Sequence, residues 1–391
     1  DPEHTDSRLQ KLYFEALYCD WGNTAKKNDL LLSLGLTSKA VPPFSMLAFE
    51  DSPSRHRSRS EMFAKEKFNF HPLPINCAPT KKLRRLRIGY FSADFRNHPV
   101  ANLIIRVLEL HNRDDFEIYA YSYGPAATDS MRIRVASAVD NFCEVSGRDD
   151  LDVVKLARKD NIDIAVDLGG YTLYSRPSIC AYRAAPIQIN YLGFPGTMGA
   201  DFIDYIVVDS VLVPAEHRQY YSENLICLPN SYMATDNTRE ISDAAVSRSD
   251  MGLPEHSFVF CAFNNSYKVT SREFDIWMRL LSKIDGSVLW LLKANKSSEN
   301  NLRTEAKKRG IEPNRLIFAD KLGVEEHLAR QRLADLFLDT FNFNAHTTAS
   351  DALWVGLPVL TKIGKGFAAR VASSLLTSLE IPELITTSEN E

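Results

Sequence analysis

The chain has 391 residues, room for two or three domains of ordinary size, and its 45% hydrophobic and 25% charged residues are the proportions of a globular protein. Its 46 basic and 50 acidic side chains leave a net charge of -4, so there is no basic excess for nucleic acid, and no apolar run is long enough to span a bilayer or act as a signal peptide. Six cysteines, at 19, 77, 143, 180, 227 and 261, include no Cys-x-x-Cys pair, which argues against zinc and thioredoxin-type chemistry and fits reduced core thiols of a cytoplasmic protein.

Residues 1 to about 35 read as helix, with Leu9, Leu12, Tyr13, Ala16 and Leu17 at helical spacing. Residues 40–80 hold six prolines, from Pro42 to Pro79, and the polar run Ser52–Glu61, and read as an irregular connector outside any core. The basic cluster Lys81, Lys82, Arg84, Arg85 and Arg87 reads as a solvated linker ahead of a strand. Strand–helix alternation then begins. It predicts strands at 86–91, 116–121, 162–168, 187–192 and 205–208, and helices at 100–111 and 150–159. Residues 220–250 hold few apolar positions and read as a hinge or crossover. The alternation restarts with strands at 258–263, 288–293, 316–318, 336–338 and 359–361, and helices at 271–283, 298–310, 325–332, 349–355 and 368–377. This pattern predicts an α/β chain of two doubly wound, Rossmann-like lobes with a cleft between them. The predicted boundaries are 1–80 for a helical segment and linker, 81–240 for the first lobe and 241–391 for the second.

Such sheets bind ligands at the carboxyl ends of their strands, so residues just past those ends are the candidates. Asn344–Trp354 leaves one strand and enters a helix. Thr347 and Thr348 bring hydroxyls and N–H groups to that helix start, a ready site for a phosphate or diphosphate, and Asp351 lies where a carboxylate holds a sugar's hydroxyl pair. The same Thr and Asp are equally the residues of a plain helix cap. Lys268, in Asn264-Asn265-Ser266-Tyr267-Lys268, suits a departing diphosphate, or is an exposed loop lysine. His327 opens a helix, where it can stack on a base or contact a phosphate, or be an ordinary helix histidine. His98, in Asp94–Pro99, faces the predicted cleft from the first lobe, or caps a helix. The turns Gly169–Thr172 and Gly193–Gly199 follow strands and allow close backbone approach to a ligand. Neither is the dinucleotide fingerprint or the phosphate loop, and no Gly-x-Ser-x-Gly elbow is present.

Together these blocks resemble one family. Asp94-Phe95-Arg96-Asn97-His98-Pro99, Gly170-Tyr171-Thr172, Ala185-Pro186-Ile187-Gln188 through Gly196-Thr197, Phe263–Lys268, Ser287–Leu292, Glu325-Glu326-His327, and His346-Thr347-Thr348 with Asp351 stand in the order of the catalytic region of the protein O-linked N-acetylglucosamine transferases. That family also includes the plant-type protein O-fucosyltransferases. The resemblance runs over Leu86–Leu384, roughly three quarters of the chain.

The resemblance implies the two-lobed GT-B fold and inverting, metal-independent sugar transfer from a nucleotide diphosphate donor to Ser or Thr of proteins. It implies that Lys268 stabilises the departing diphosphate, that Thr347 and Thr348 bind the phosphates, and that Asp351 holds the ribose. His327 would meet the uracil or ribose side. His98 and Tyr267 would line the sugar and acceptor region, with His98 one proposed general base. Asn265, His346, Gly196 and Thr197 fall in the same blocks and are nucleotide-sugar-binding candidates. The implied donor is UDP-N-acetylglucosamine, favoured over GDP-fucose by His346-Thr347-Thr348 and Tyr267. The implied acceptor is a protein or peptide bearing Ser or Thr, with no metal and no cofactor.

The chain departs from the family pattern at Asn265, usually Gln, and at Val324, where Lys is common; both lie on the nucleotide side. The insertion between the lobes of animal members is absent, as in bacterial ones. Cys19-Asp20-Trp21 looks like the family's junction with a TPR-like helical array, of which at most the last helix is expected here, and the chain stops soon after Ile381–Leu384, where members continue with further helices. Two other readings share the fold: a nucleotide-sugar epimerase, and a binder that holds a nucleotide sugar without transferring it.

Overall fold

The computed structural model describes residues 5–22, 29–37, 39–74 and 84–391, so Cys77, Lys81 and Lys82 lie outside the described residues. The chain divides into two compact units. One comprises 42–44 and 53–237; the other comprises 1–41, 45–52 and 238–391.

The 53–237 unit is built on a seven-stranded sheet: β1 Leu86–Ser92, β2 Phe116–Ser122, β3 Asn141–Glu144, β4 Ile164–Asp167, β5 Ile187–Asn190, β6 Tyr205–Asp209 and β7 Asn224–Leu228. The order is β3-β2-β1-β4-β5-β6-β7 and every pairing is parallel. Parallel strands covered on both faces read as continuous apolar runs, which is why Ile118–Tyr121 is buried throughout. Helix Pro99–Leu110 starts with proline at its first position and buries Val100, Leu103, Ile104 and Leu108 at helical spacing.

The 238–391 unit repeats the plan with six strands: β8 Val259–Ala262, β9 Val288–Leu292, β10 Leu316–Ala319, β11 Leu336–Leu338, β12 Val359–Lys362 and β13 Ile385–Thr386. The order is β10-β9-β8-β11-β12-β13, again all parallel. The expected pair of doubly wound α/β sheets is therefore present. Strand order reverses direction between β1 and β4 in one sheet and between β8 and β11 in the other. These are the switch points outside which such sheets bind ligands.

Several expectations needed correction. Residues 220–250 contain an edge strand, β7, rather than only a crossover. The 40–80 stretch is not merely a connector, because Pro53–Lys67 is a helix that buries Arg59, Ser60 and Ala64. Its buried face is largely polar, so it carries no hydrophobic stripe. The backbone packs so closely that a Cβ on Gly199, itself at φ +58, would stand 2.4 Å from the Glu61 nitrogen. Phe63 and Phe68 from this segment lie 4.9 and 6.1 Å from the Tyr171 ring. Arg84 and Arg87 of the basic cluster are ion-paired, to Asp163 and Glu117. Cys227 is exposed, unlike the buried thiols Cys19, Cys180 and Cys261.

The N-terminal helix Thr5–Leu17 is part of the second unit's structure. The Ser266 hydroxyl donates to Leu17 O at 2.7 Å, and Trp21 packs on Phe274 at 5.2 Å. Among the described residues, no helix is long and apolar enough to cross a membrane.

Candidate functional site

The densest gathering of candidate residues stands at the β8/β11 switch point. Two segments leave adjacent strand ends there: Phe263–Lys268 after β8 and Asp339–Thr348 after β11. Asn264, 4% exposed, joins them. Its amide donates to Thr340 Oγ1 at 3.0 Å, and its Oδ1 accepts the Thr348 hydroxyl at 2.9 Å.

Lys268 ends the short turn Ser266–Lys268 and is buried, not the exposed loop lysine of the alternative reading. Its Nζ donates to Asn344 O at 3.0 Å and lies 3.9 Å from the centre of the Phe343 ring. Burial lowers the ammonium's pKa to about 8, with the nearby Asp339 carboxylate acting in the opposite sense. Asp339 is itself pushed up to about 7 by burial.

Helix Thr347–Trp354 begins with His346 in the cap position. Its first helical bond runs from Ser350 N to His346 O, which leaves the N–H groups of Thr347, Thr348 and Ala349 outside the helix's own ladder. Such N–H groups, with the positive end of the helix dipole, form a receptor for phosphate oxygens. His346 Nε2 donates to Ala368 O at 3.1 Å, so the ring is the Nε2–H tautomer with an Nδ1 lone pair. Burial and Lys268 drop its pKa to about 3, and the ring is neutral at ordinary pH.

Asp351, one turn into the helix, is ion-paired with Arg239, whose guanidinium also lies 5.1 Å from the Trp354 ring. Burial raises the Asp351 pKa, and Arg239 opposes that rise. Arg239 and Asp339 are absent from the candidates read in the sequence.

His327 lies in helix Val324–Gln331, its ring 5.2 Å from Phe263. Its Nδ1 accepts from Arg330 Nε at 3.1 Å, which leaves Nε2 carrying the proton and able to donate. Burial and Arg330 lower its pKa to about 4. Arg330 is the third residue not read beforehand; it holds the His327 ring while its own guanidinium lies 4.9 Å from the Phe263 ring. Asn265 is exposed, and the Tyr267 ring packs against Tyr13 at 5.7 Å.

In the other unit, His98 follows β1 and caps helix Pro99–Leu110, accepting Val100 N at Nδ1 over 3.3 Å. Asp94 Oδ2 is 3.5 Å from the same nitrogen. In the capping arrangement a neutral ring carries its proton on Nε2 and acts as a donor there. Service as a base at Nε2 requires the proton on Nδ1, facing Asp94. Burial lowers the His98 pKa and Asp94 opposes this.

Gly196 and Thr197 lie in the turn after β5. The Thr197 hydroxyl is spent within the protein: it donates to Glu223 Oε2 at 2.6 Å and accepts Gly199 N at 3.1 Å. Thr197 therefore holds the turn and leaves no hydroxyl proton for a ligand. Close approach at Gly193 is likewise to the chain itself, since a Cβ there would fall 2.0 Å from Leu168 O.

The sequence matches the profile of glycosyl transferase family 41 over residues 58–245 and 237–391. It is 38% identical over 310 residues to an Arabidopsis thaliana protein named a probable UDP-N-acetylglucosamine–peptide N-acetylglucosaminyltransferase, SEC, covering 78% of this chain and 32% of that protein. It is 26% identical over 424 residues to the Caenorhabditis elegans UDP-N-acetylglucosamine–peptide N-acetylglucosaminyltransferase, covering 79% and 36%. The solved structure of a mutant Thermobaculum terrenum O-GlcNAc transferase superposes with a TM-score of 0.82 at 28% identity, covering 89% of this chain and 66% of that one. The chain thus spans about a third of the length of these two curated relatives.

Proposed function

The chain belongs to glycosyl transferase family 41, and on that premise we propose that it transfers N-acetylglucosamine from UDP-N-acetylglucosamine to Ser or Thr hydroxyls of a protein acceptor. The observation that carries this reading is the switch-point group. A buried lysine ammonium rests on the loop that feeds the Thr347 helix start, and Asn264 ties that helix to the lysine's own turn. An ammonium beside a helix N-terminus is suited to two phosphates, and more so as negative charge builds on the leaving oxygen.

In the proposed reaction the acceptor oxygen bonds to the anomeric carbon as the bond from that carbon to the diphosphate breaks. UDP leaves with the electron pair, and the acceptor's proton passes to a base. Lys268 stabilises the departing diphosphate, the N–H groups of Thr347 and Thr348 hold its oxygens, and the Asp351 carboxylate takes the ribose hydroxyls. His327, donating from Nε2, suits a carbonyl oxygen of the uracil. His98 acts on the sugar or the acceptor, as donor in its capping tautomer or as base in the other.

We propose that no metal is needed. Lys268 and the helix start supply the positive field a divalent ion would otherwise provide. Among the described residues no three His, Cys, Asp or Glu side chains cluster as metal ligands. The location we propose is the cytoplasm, in keeping with the free thiols of the five described cysteines.

Incubation with donor labelled in the sugar tests the reading against its competitors. Label on acceptor protein supports transfer. Label in an altered free nucleotide sugar would point to an epimerase, and bound but unchanged donor to a non-catalytic binder. A parallel incubation with GDP-fucose separates the two donor branches.

A further inference from the structure

Asp339 stands at the end of β11, 3% exposed, where the strand passes into the loop that carries the phosphate-binding candidates. Its carboxylate is fully engaged. Oδ1 accepts the N–H of Thr340 at 2.7 Å and of Ala345 at 2.6 Å, with the Asn264 amide at 3.5 Å. Oδ2 accepts the Thr361 hydroxyl at 2.6 Å. The bond to Ala345 closes the 340–344 loop across its base. Inside that loop the Thr340 hydroxyl donates to Phe343 O at 2.6 Å and the Asn344 amide donates to Thr340 O at 2.6 Å. Both partners of Lys268, the Asn344 carbonyl and the Phe343 ring, lie on this loop.

We propose that Asp339 is the positioning residue of the donor-phosphate site: its carboxylate ties down the loop on which Lys268 rests and is the buried counter-charge of that ammonium. This rests on the proposed function for its consequence in catalysis, but not for the electrostatic coupling itself. The physical need is clear. A buried ammonium tends to shed its proton, and a neutral amine cannot stabilise a leaving diphosphate. Hydrogen bonds from two backbone N–H groups and a hydroxyl favour the ionised form of Asp339, and that charge in turn favours the ammonium. The other titratable groups against this loop do not substitute for it. His346 is neutral. Glu273 accepts Phe341 N at 2.9 Å from the helix Ser271–Lys283, and the Lys362 ammonium lies 4.9 Å from the Phe341 ring. Of these groups, Asp339 is the one whose charge favours the Lys268 ammonium.

The test is a titration of Lys268 in Asp339→Asn, followed by carbon-13 NMR of the lysine Cε, with the resonance assigned by its loss in Lys268→Arg. The midpoint is expected to move to lower pH by on the order of one unit, the scale for loss of a close opposite charge. In transfer assays the alkaline limb of kcat/KM is expected to move with it, and Asp339→Glu to restore much of the wild-type position. A purely structural role would lower the rate equally at every pH. An unmoved midpoint in the folded variant overturns the coupling, and an alkaline limb that ignores the midpoint overturns the catalytic role. Should Asp339→Asn not fold, Thr361→Val takes its place. It strips one hydrogen bond from the same carboxylate and is expected to shift Lys268 in the same direction by a smaller amount. A wild-type protein that shows the coupled titration yet transfers no sugar would sink the proposed function and leave the coupling supported.

Discussion

Thr348 donates its hydroxyl to Oδ1 of Asn264 at 2.9 Å, and this bond divides the labour between two adjacent threonines. Thr348's hydroxyl proton is committed to the protein, so its contact with a phosphate falls to the backbone N–H. Thr347's hydroxyl remains able to donate to a ligand. Thr347→Val is therefore expected to unfold within about 0.5 kcal/mol of wild type while weakening UDP binding by about tenfold, the scale of one hydrogen bond to a charged group. Thr348→Val leaves the buried Asn264 oxygen unsatisfied and is expected to lose about 1–3 kcal/mol of stability. Denaturant unfolding and calorimetric UDP titration of both variants check this. Interchanged outcomes would mean that the hydroxyl roles are reversed.

The pH dependence follows from Lys268. Its ammonium must be charged to stabilise the leaving group, and burial has lowered its pKa to about 8. Transfer, read as kcat/KM, is expected to fall as pH rises through about 8. A bound diphosphate favours the ammonium, so the corresponding limb of kcat is expected at higher pH. His346 and His327, with pKa values lowered to about 3 and about 4, stay neutral from pH 5 upwards and contribute no limb there. An activity that climbs steadily to pH 10 would contradict the role given to Lys268.

Much of the fold was legible because several strands are unbroken apolar runs, as in Val288–Leu292, set between helices with periodic apolar faces. The helix Pro53–Lys67 was not, because the face it buries is Arg59, Ser60 and Ala64. Proline at its start was the one local sign of it. Of the candidate site, Lys268, Thr347 and Thr348 were visible from their place past strand ends. Asp339 was hidden, since an aspartate ending a strand reads as an ordinary turn residue. Nothing local reveals that its carboxylate reaches Ala345, six positions on. Arg239 lies in a polar stretch, and only the folded chain brings it to Asp351, 112 positions away. The engagement of the Thr197 hydroxyl was hidden for the same reason, because its partner Glu223 is 26 positions distant.

Arg239 favours the charged form of Asp351 against its burial, so removing it should make donor binding depend more strongly on pH. In Arg239→Met the Asp351 carboxyl ionises at a higher pH than in the wild type, and only the ionised form accepts both ribose hydroxyls. UDP affinity of the variant is expected to be weaker at pH 6 than at pH 8, whereas the wild type changes less over that interval. Calorimetry at both pH values decides it, with 2′,3′-dideoxy-UDP as the control that should lose the effect. Equal pH dependence in the two proteins would remove Asp351 from the ribose.

His98 caps a helix as well as being a candidate for the chemistry, and the two roles separate by substitution. His98→Ala removes the cap and is expected to lose about 1 kcal/mol of stability, while His98→Asn keeps a capping side chain and should lose little. Both should depress transfer strongly, by roughly 100-fold if a proton transfer is lost. Full activity in His98→Asn would show that capping is all that His98 does.

We assign to Lys268 the departure of UDP during sugar transfer to protein. The most direct measurement is mass spectrometry of an acceptor protein after incubation with sugar-labelled UDP-N-acetylglucosamine in excess chelator, comparing wild type with Lys268→Ala. Both proteins are first shown to be folded by circular dichroism, because Lys268 is buried and bonded to Asn344 O. We expect labelled Ser or Thr with the wild type and a rate lower by roughly 100-fold or more with the variant, the scale for a lost electrostatic partner of the transition state. Near-normal labelling by folded Lys268→Ala, or label that never reaches protein with the wild type, would contradict it.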